Sequence, residues 1–323
     1  MPKAIRIHKQ GGPDVLNWED VQVGDPAAGQ IRIRHTAVGL NYIDTYQRSG
    51  LYPMPMPATL GMEAAGIIEA VGPGVAGLRK GDHVAYSSQP GAYSEVRLAA
   101  ADKVVKVPRG VSDQDAAAMM LKGMTAQYLI RQIYKVKAGD TILIHAAAGG
   151  VGLIVCQWAK SLGATVIGTV STPAKAQLAR ENGCDHPIIT TQENFVEQVA
   201  KITKGAKLPV VYDSVGKDTF EGSLDCLRPM GLLVSFGQSS GSIAPVNLGV
   251  FAQKGSLFFT RPSLMNYTAT RAQLETVSKD LFKAVKSGAV KIRIDQTYAL
   301  KDTRKAHEDL EGRKTTGQTI LIP

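Results

Sequence analysis

The sequence predicts an α/β protein in which a doubly wound parallel sheet is combined with a mostly β domain. Three observations carry this expectation. The stretch 139–175, GDTILIHAAAGGVGLIVCQWAKSLGATVIGTVSTPAK, runs strand, glycine turn, helix, strand. From there to about residue 260, helical and strand-like segments alternate, as crossover connections of a parallel sheet require. Before it, residues 1–124 are rich in short strands of period two and in turn residues.

In chain order, Ala4, Ile5, Arg6 and Ile7 alternate apolar and polar, as does the run 30–34 (QIRIR), so both read as half-buried antiparallel strands. Gly11-Gly12-Pro13 and Asp25-Pro26 are turn punctuation. The run 41–52 (NYIDTYQRSGLY) breaks the alternation and carries three tyrosines; Pro53, Pro55 and Pro57 follow, which predicts an irregular loop. Residues 61–81 are glycine-punctuated with short apolar runs, and 91–96 and 103–107 read as further strands. At Ser112 the pattern turns helical. Ser112 can cap an alanine-rich helix, with Asp115 near the positive end of its dipole. Residues 122–134 read as another helix, which puts a domain boundary at about 124.

The run 141–145 is β-branched and aliphatic, a buried strand. After a turn of small residues, Val151, Val155, Trp158, Ala159 and Leu162 recur at helical spacing until Gly163. A second strand covers 164–170. Ala147, Gly149 and Gly152 fall on the three positions of G-x-G-x-x-G, with alanine in place of the first glycine. Gly149 lets the backbone approach a pyrophosphate, Gly152 lets the helix pack against the strand, and the N–H groups of the helix start bind the anion. With strand, helix and second strand all present, the unit is the first half of a Rossmann dinucleotide site. An NAD site usually has an acidic residue at the end of the second strand. No Asp or Glu occurs here between Asp140 and Glu181; Ser171, Thr172 and Lys175 stand there instead, with Arg180 beyond. Hydroxyls and a cation suit a 2′-phosphate, so NADP(H) is expected over NAD(H).

The alternation continues with helices at 174–182, 193–203 and 219–227 and strands at 187–190, 208–213, 232–236 and 256–260. A helix at 270–287, a strand at 292–300, a helix at 303–311 and a strand at 317–322 close the chain. These last segments are too mixed to extend the sheet. The expected division is therefore 1–124, 125–260 as the dinucleotide domain, and 261–323 returning to the first domain.

Composition excludes several classes. Hydrophobic content of 44% and charged content of 20% suit a soluble globular protein. The net charge of +9 is spread along the chain with no Lys/Arg block, and no RNP-like aromatic motif accompanies it, so nucleic acid is not expected as a partner. Three scattered cysteines make no disulfide framework. The N-terminal residues have no apolar stretch typical of a signal peptide, and no run of 18 apolar residues occurs, so a cytoplasmic protein is expected.

The glycine turn resembles the signature of the medium-chain dehydrogenase/reductase superfamily, in its quinone oxidoreductase (zeta-crystallin-like) branch. It matches at Gly139, Asp140, Leu143, Ala147, Ala148, Gly149, Gly150, Gly152, Gln157 and Lys160; the stretches 41–52, 61–74 and 260–263 are also similar. The resemblance spans essentially the whole chain. It implies a GroES-like catalytic domain made from both ends of the chain, a Rossmann domain between them, NADPH in the cleft, and a homodimer joined through edge strands of the Rossmann sheets. Zinc-dependent alcohol dehydrogenases of the superfamily have Cys near position 41, Gly-His-Glu where this chain has Gly61-Met62-Glu63, and a four-Cys lobe. Here Asn41 and Met62 stand at those positions, and the six histidines form no ligand cluster, so no metal is expected.

Without a Lewis acid to ionise an alcohol, the acceptor must already be electrophilic, as a quinone is. Hydride would leave the nicotinamide for the quinone, and the protein would supply alignment and hydrogen-bond donors. Asn41, Tyr46 and Tyr52 are candidates to line the acceptor pocket. The resemblance further implies that Tyr42, Ile43, Asp44, Thr45, Tyr46, Thr125 and Tyr128 lie near the nicotinamide. By the same resemblance Gly150 and Val151, beside Gly149 and Gly152, hold the pyrophosphate, and Ser171, Thr172 and Lys175 the 2′-phosphate. Phe236, Gly237, Ser239 and Ser240 would lie along the cofactor, Arg261, Pro262, Ser263 and Leu264 at its nicotinamide end, and Arg313 or Lys314 at a phosphate. Asp44 and Glu63 read as buried structural carboxylates. Two rival functions share these features: an NADPH-dependent enone or alkenal reductase, and a nucleic-acid-binding or structural protein stabilised by NADPH.

Overall fold

The computed structural model describes all 323 residues, which fall into two units. The first comprises Met1–Met124, Thr268–Lys286 and Ile292–Pro323; the second comprises Thr125–Tyr267 and Ser287–Lys291.

In the first unit, β1 (Lys3–Ile7) pairs antiparallel with both β2 (Asn17–Asp20) and the short β4 (Ala58–Thr59). The long β3 (Gln30–Gly39) is the spine of a larger sheet. It pairs antiparallel with β5 (Glu63–Val71), and β5 in turn with β6 (His83–Ser87). On its other edge β3 receives β7 (Val96–Ala100), while β8 (Val105–Lys106) pairs with β6. Period two is visible in β3, where Ile31 and Ile33 are fully buried and Arg34 is exposed. They join Ile5, Ile7, Val38, Leu60 and Tyr86 in one core. Each such side chain contributes about 1.5–3 kcal/mol.

Two segments differ from expectation. The run after Asn41 is a helix, α1 (Tyr42–Ser49), closed by a left-handed Gly50. Asn41 is its N-cap residue, and the Asn41 backbone N–H donates to Asp44 Oδ2 at 2.8 Å, while the Asn41 side chain makes no capping bond. And 112–134 is one helix, not two: α2 (Asp113–Tyr128) continues into a π-helical turn, Leu129–Ile133. Gly123 does not break it. A Cβ there would lie 2.6 Å from the Leu281 side chain, so the glycine is a close-packing residue.

The second unit holds β9 (Thr141–Ile144), α3 (Gly150–Ser161), β10 (Thr165–Val170), α4 (Pro173–Glu181), β11 (His186–Ile189) and α5 (Phe195–Ile202). Then follow β12 (Leu208–Asp213), α6 (Phe220–Asp225), β13 (Leu227–Ser235), α7 (Gly249–Gln253), β14 (Phe258–Thr260) and α8 (Leu264–Tyr267). The six strands are all parallel, in the order β11-β10-β9-β12-β13-β14. This is the Rossmann order, and its topological switch point lies beside β9, at whose carboxyl end the glycine turn begins. Leu143, Ile167, Ile188, Val211 and Leu233 form its core.

The chain then returns to the first unit with α9 (Arg271–Lys286), β15 (Ile294–Ala299), α10 (Thr303–Glu311) and β16 (Gln318–Ile322). β16 pairs parallel with β15 and antiparallel with β3, so the last strand completes the sheet that the third began. No helix is long and apolar enough to cross a membrane. The structure is thus a parallel Rossmann sheet plus a separate β-rich unit.

Candidate active site

In the second unit the turn between β9 and α3 is tight. Ala146 takes a left-handed φ of 56°, and Gly149 is the N-cap of α3. A Cβ on Gly152 would lie 2.3 Å from the Ala146 carbonyl oxygen and 2.7 Å from the Ala147 backbone, so only glycine lets α3 start here. Gly149 is different: its φ is −84° and its nearest neighbour would be 3.2 Å away. Gly149 itself has no side chain with which to cap the first turn of α3, and a glycine-capped helix start is the form of an anion site.

Beyond β10, Ser171 is half-buried and Thr172 caps α4 by accepting the Lys175 N–H at 3.2 Å. The Lys175 side chain starts from that same first turn. The segment after β13 is pinned throughout. The Phe236 N–H donates to Asp213 O at 2.8 Å, the Ser239 N–H to Ser214 O at 3.1 Å, and Ser240 Oγ to Val215 O at 2.8 Å. Arg261 staples the segment from the next strand end, donating to Ser235 O at 3.0 Å and Gly237 O at 2.8 Å. Pro262 and Ser263 lead from it to Leu264, the first residue of α8. Thr125 and Tyr128 lie on the last turn of α2, and the Tyr128 ring stacks on Tyr267 at 4.4 Å and 10°. Burial pushes the Tyr128 hydroxyl up.

Sequence reasoning missed the polar scaffold under this rim. His145, at the end of β9, is buried between Thr169 Oγ1 and Ser223 Oγ, each at 2.9 Å. Burial holds its imidazole below the usual range. Asp213 accepts from Val215 N–H at 2.7 Å, Gly216 N–H at 3.0 Å and Thr219 Oγ1 at 2.8 Å. The ends of β9 and β10 are thereby tied to each other and to α6, and the end of β12 to the loop that follows it.

In the first unit, α1 gathers the other candidates. Tyr42, Ile43 and Tyr46 are half-buried, while Asp44 and Thr45 turn inward. The Tyr42 and Tyr46 rings are 6.2 Å apart, and Tyr46 meets Tyr52 edge-on at 5.4 Å, giving an aromatic rail. The Tyr42 hydroxyl donates to Leu310 O at 3.1 Å; burial raises its pKa and the nearby Arg313 charge opposes this. Lys314 pairs with Asp309 at 3.5 Å.

Behind the rail lies a buried polar cluster. Asn41 Nδ2 donates to Glu63 Oε2 at 2.9 Å, and the Leu121 N–H donates to Glu63 Oε1 at 2.6 Å. Lys122 Nζ is 3.8 Å from Glu63 Oε2. Burial raises the Glu63 carboxyl pKa and lowers that of the Lys122 ammonium; each charge opposes the shift on the other. Asp44 Oδ2 accepts from the Asn41 N–H and from Tyr93 Oη, both at 2.8 Å. Burial still pushes the Asp44 carboxyl up to about 7. Tyr93 Oη is 3.0 Å from His307 Nε2, and His307 Nδ1 is 3.0 Å from Arg48 Nη1, which also pairs with Glu311. Lys122 was missed in the sequence, yet it is the one charge within the run Ala116-Ala117-Ala118-Met119-Met120-Leu121-Lys122-Gly123-Met124.

Comparison with known proteins agrees with this architecture. The alcohol dehydrogenase GroES-like domain family matches residues 27–109, and the zinc-binding dehydrogenase family matches residues 150–282. The quinone oxidoreductase of Pseudomonas aeruginosa is 52% identical over the full length of both chains. A 2-haloacrylate reductase from a Burkholderia species is 48% identical, covering all of this chain and 99% of that one. The crystal structure of Escherichia coli quinone oxidoreductase complexed with NADPH superposes with a TM-score of 0.98, at 51% identity, over 99% of this chain and all of that one. With its Rossmann sheet, its GroES-like unit and relatives matched from end to end, the chain belongs to the medium-chain dehydrogenase/reductase superfamily, among the quinone oxidoreductases. The zinc in the second family's description does not fit the residues present. Met62 Sδ accepts from Gln47 Nε2 at 3.3 Å, Asn41 is turned to Glu63, and a buried ammonium stands beside that carboxylate. Nowhere do three or more His, Cys, Asp or Glu side chains converge.

Proposed function

We propose that the protein is a zinc-independent NADPH:quinone oxidoreductase. The observation that carries this reading is the end-to-end match, at 52% identity, to a quinone oxidoreductase. NADPH supplies hydride when bound. The chain's own residues hold and orient the reactants. Gly149, Gly150, Val151 and Gly152 receive the pyrophosphate. Ser171, Thr172 and Lys175 receive the 2′-phosphate. The rail of Tyr42, Tyr46 and Tyr52 offers flat faces to a planar acceptor, with Tyr46 and Tyr52 as its phenol donors, and the segments at 236–240 and 261–264 border the cofactor. On this reading the first unit is the catalytic one, and three unpaired buried cysteines suit a reducing cytoplasm. A panel of quinones and enones with NADPH, run with and without EDTA, tests it. Quinone reduction should be undiminished by the chelator. Failure to oxidise NADPH with any quinone of the panel would refute the reading. A second reading, reduction of an activated carbon–carbon double bond, is favoured by the name of the 48% identical 2-haloacrylate reductase, and the enone arm of the same panel addresses it.

The proposal includes a homodimer through the edge of the Rossmann sheet. β14 is hydrogen-bonded on one side only, and Phe258, Phe259 and Met230 around it are 61%, 41% and 71% exposed. A groove of about 490 Å³ beside it is lined by Tyr134, Met230, Phe258, Phe259 and Tyr267. An apolar, open strand edge is an association surface unless it is blocked. Phe258→Glu should convert the dimer to monomer in light scattering; an unchanged mass for the variant, or a monomeric wild type, excludes this edge.

A further inference from the structure

We infer that the Lys122–Glu63 pair is a positioning device that fixes the polarity of Asn41, so that Asn41 accepts an N–H or O–H from the bound molecule and does not donate to it. This rests on the reading above that Asn41 lines the ligand site. The Asn41 amide has one nitrogen and one oxygen to present, and the surroundings choose between them. Nδ2 faces two acceptors, Glu63 Oε2 at 2.9 Å and Gly39 O at 3.5 Å. Turning the amide over would set Oδ1 against both. Oδ1 is instead buried with no partner in the protein, on a residue only 3% exposed. A buried acceptor without a partner costs free energy until a donor reaches it.

The polarity holds only while Glu63 is a carboxylate. A protonated Glu63 would have an O–H to give, and Oδ1 could then turn to receive it. Lys122 keeps the carboxylate charged: its Nζ is 3.8 Å away, is itself buried, and makes no hydrogen bond of its own. The Leu121 N–H holds the other carboxylate oxygen. Gly39 makes the room, since a Cβ there would lie 2.3 Å from Glu63 Oε2. The ionisable groups facing Glu63 are Lys122 from α2, Asp44 from α1 and Tyr93 from the segment before β7. Lys122 is the sole cation among them, so its removal leaves burial to raise the Glu63 carboxyl further. Two donors on a bound molecule could satisfy Asn41 Oδ1: the carboxamide N–H of a nicotinamide, or the O–H of a hydroquinone.

The test measures binding, not turnover. For wild type, NADPH is compared with its 3-acetylpyridine analogue, which lacks the carboxamide N–H, and a hydroquinone is compared with its dimethyl ether. One pair should differ about tenfold, the loss of one hydrogen bond, and which pair differs identifies the source. In Lys122→Met that difference should vanish at low pH, where Glu63 is protonated, and return as the pH rises through the raised Glu63 pKa. Lys122→Arg should restore wild-type behaviour, which a purely steric role for Met would not predict. The Asn41 side-chain NH₂ resonances of the unliganded protein should move in Glu63→Gln. That readout needs no ligand, so it decides the amide lock even if the proposed function fails. The inference is overturned if neither donor pair differs in wild type, if Lys122→Met keeps the wild-type preference at every pH, or if the Asn41 resonances ignore Glu63→Gln.

Discussion

Gly152→Ala is expected to raise the NADPH dissociation constant at least about a hundredfold and to lower the melting temperature. The added methyl meets backbone on two sides, the Ala146 carbonyl at 2.3 Å and Ala147 at 2.7 Å, and no flexible side chain is there to give way. Overpacking of this kind costs about 1–3 kcal/mol and here displaces the helix start itself. Gly149→Ala provides the contrast. Its methyl has ordinary backbone geometry and one neighbour at 3.2 Å, so the fold should melt as wild type while the cofactor loses its close approach. Calorimetric titration with NADPH and thermal melts of both variants check this. A Gly152→Ala protein that binds NADPH normally would remove the glycine turn from the site.

Ser171→Asp should reverse the choice of cofactor. The position follows β10 directly, where an NAD site would have its carboxylate. Two unit charges 4 Å apart repel by about 4 kcal/mol at an effective dielectric of 20, and screening at a half-exposed site reduces this. An increase of about a hundredfold in the KM for NADPH is expected, with NADH changed by less than about threefold. Lowering the ionic strength should widen the gap. Equal losses for the two cofactors would mean that the 2′-phosphate lies elsewhere.

Where local physics decides structure, the sequence was readable. The central strands of the Rossmann sheet, β9, β10 and β12, are mostly buried along their length and read as largely apolar runs, and the turn after β9 needs glycine at Gly152 for steric reasons. The strands of the first unit declare themselves by alternation, as in Ile31 and Ile33. What escaped was decided by tertiary contact. The inward face of α1 is Asp44, Thr45, Gln47 and Arg48, so the helix has no apolar stripe to find; only the Asn41–Asp44 capping pair marks it. The division of 112–134 into two helices does not occur, and Gly123 sits within one helix because the Leu281 side chain that fills its place comes from far along the chain. Lys122 was legible only as a charge in an apolar run, and its Glu63 partner lies in a distant strand. Asn41 was picked out as a pocket residue, but which end of its amide faces inward depends on Glu63.

The cluster around Tyr93 has one further consequence. A guanidinium has no lone pair to offer, so Arg48 must donate to His307 Nδ1. Burial and the Arg48 charge hold that imidazole near 3, so it is neutral and carries its single hydrogen on Nε2, aimed at Tyr93, which in turn donates to Asp44. Every arrow in the row points one way, and its source is a group that never surrenders a proton. Such a row can brace α1, but it cannot conduct: once Tyr93 had given its hydrogen away, nothing behind Arg48 could refill it. A reduced acceptor would therefore not draw its proton through this row, and replacing Tyr93 by Phe should loosen the helix without introducing a solvent isotope effect on turnover.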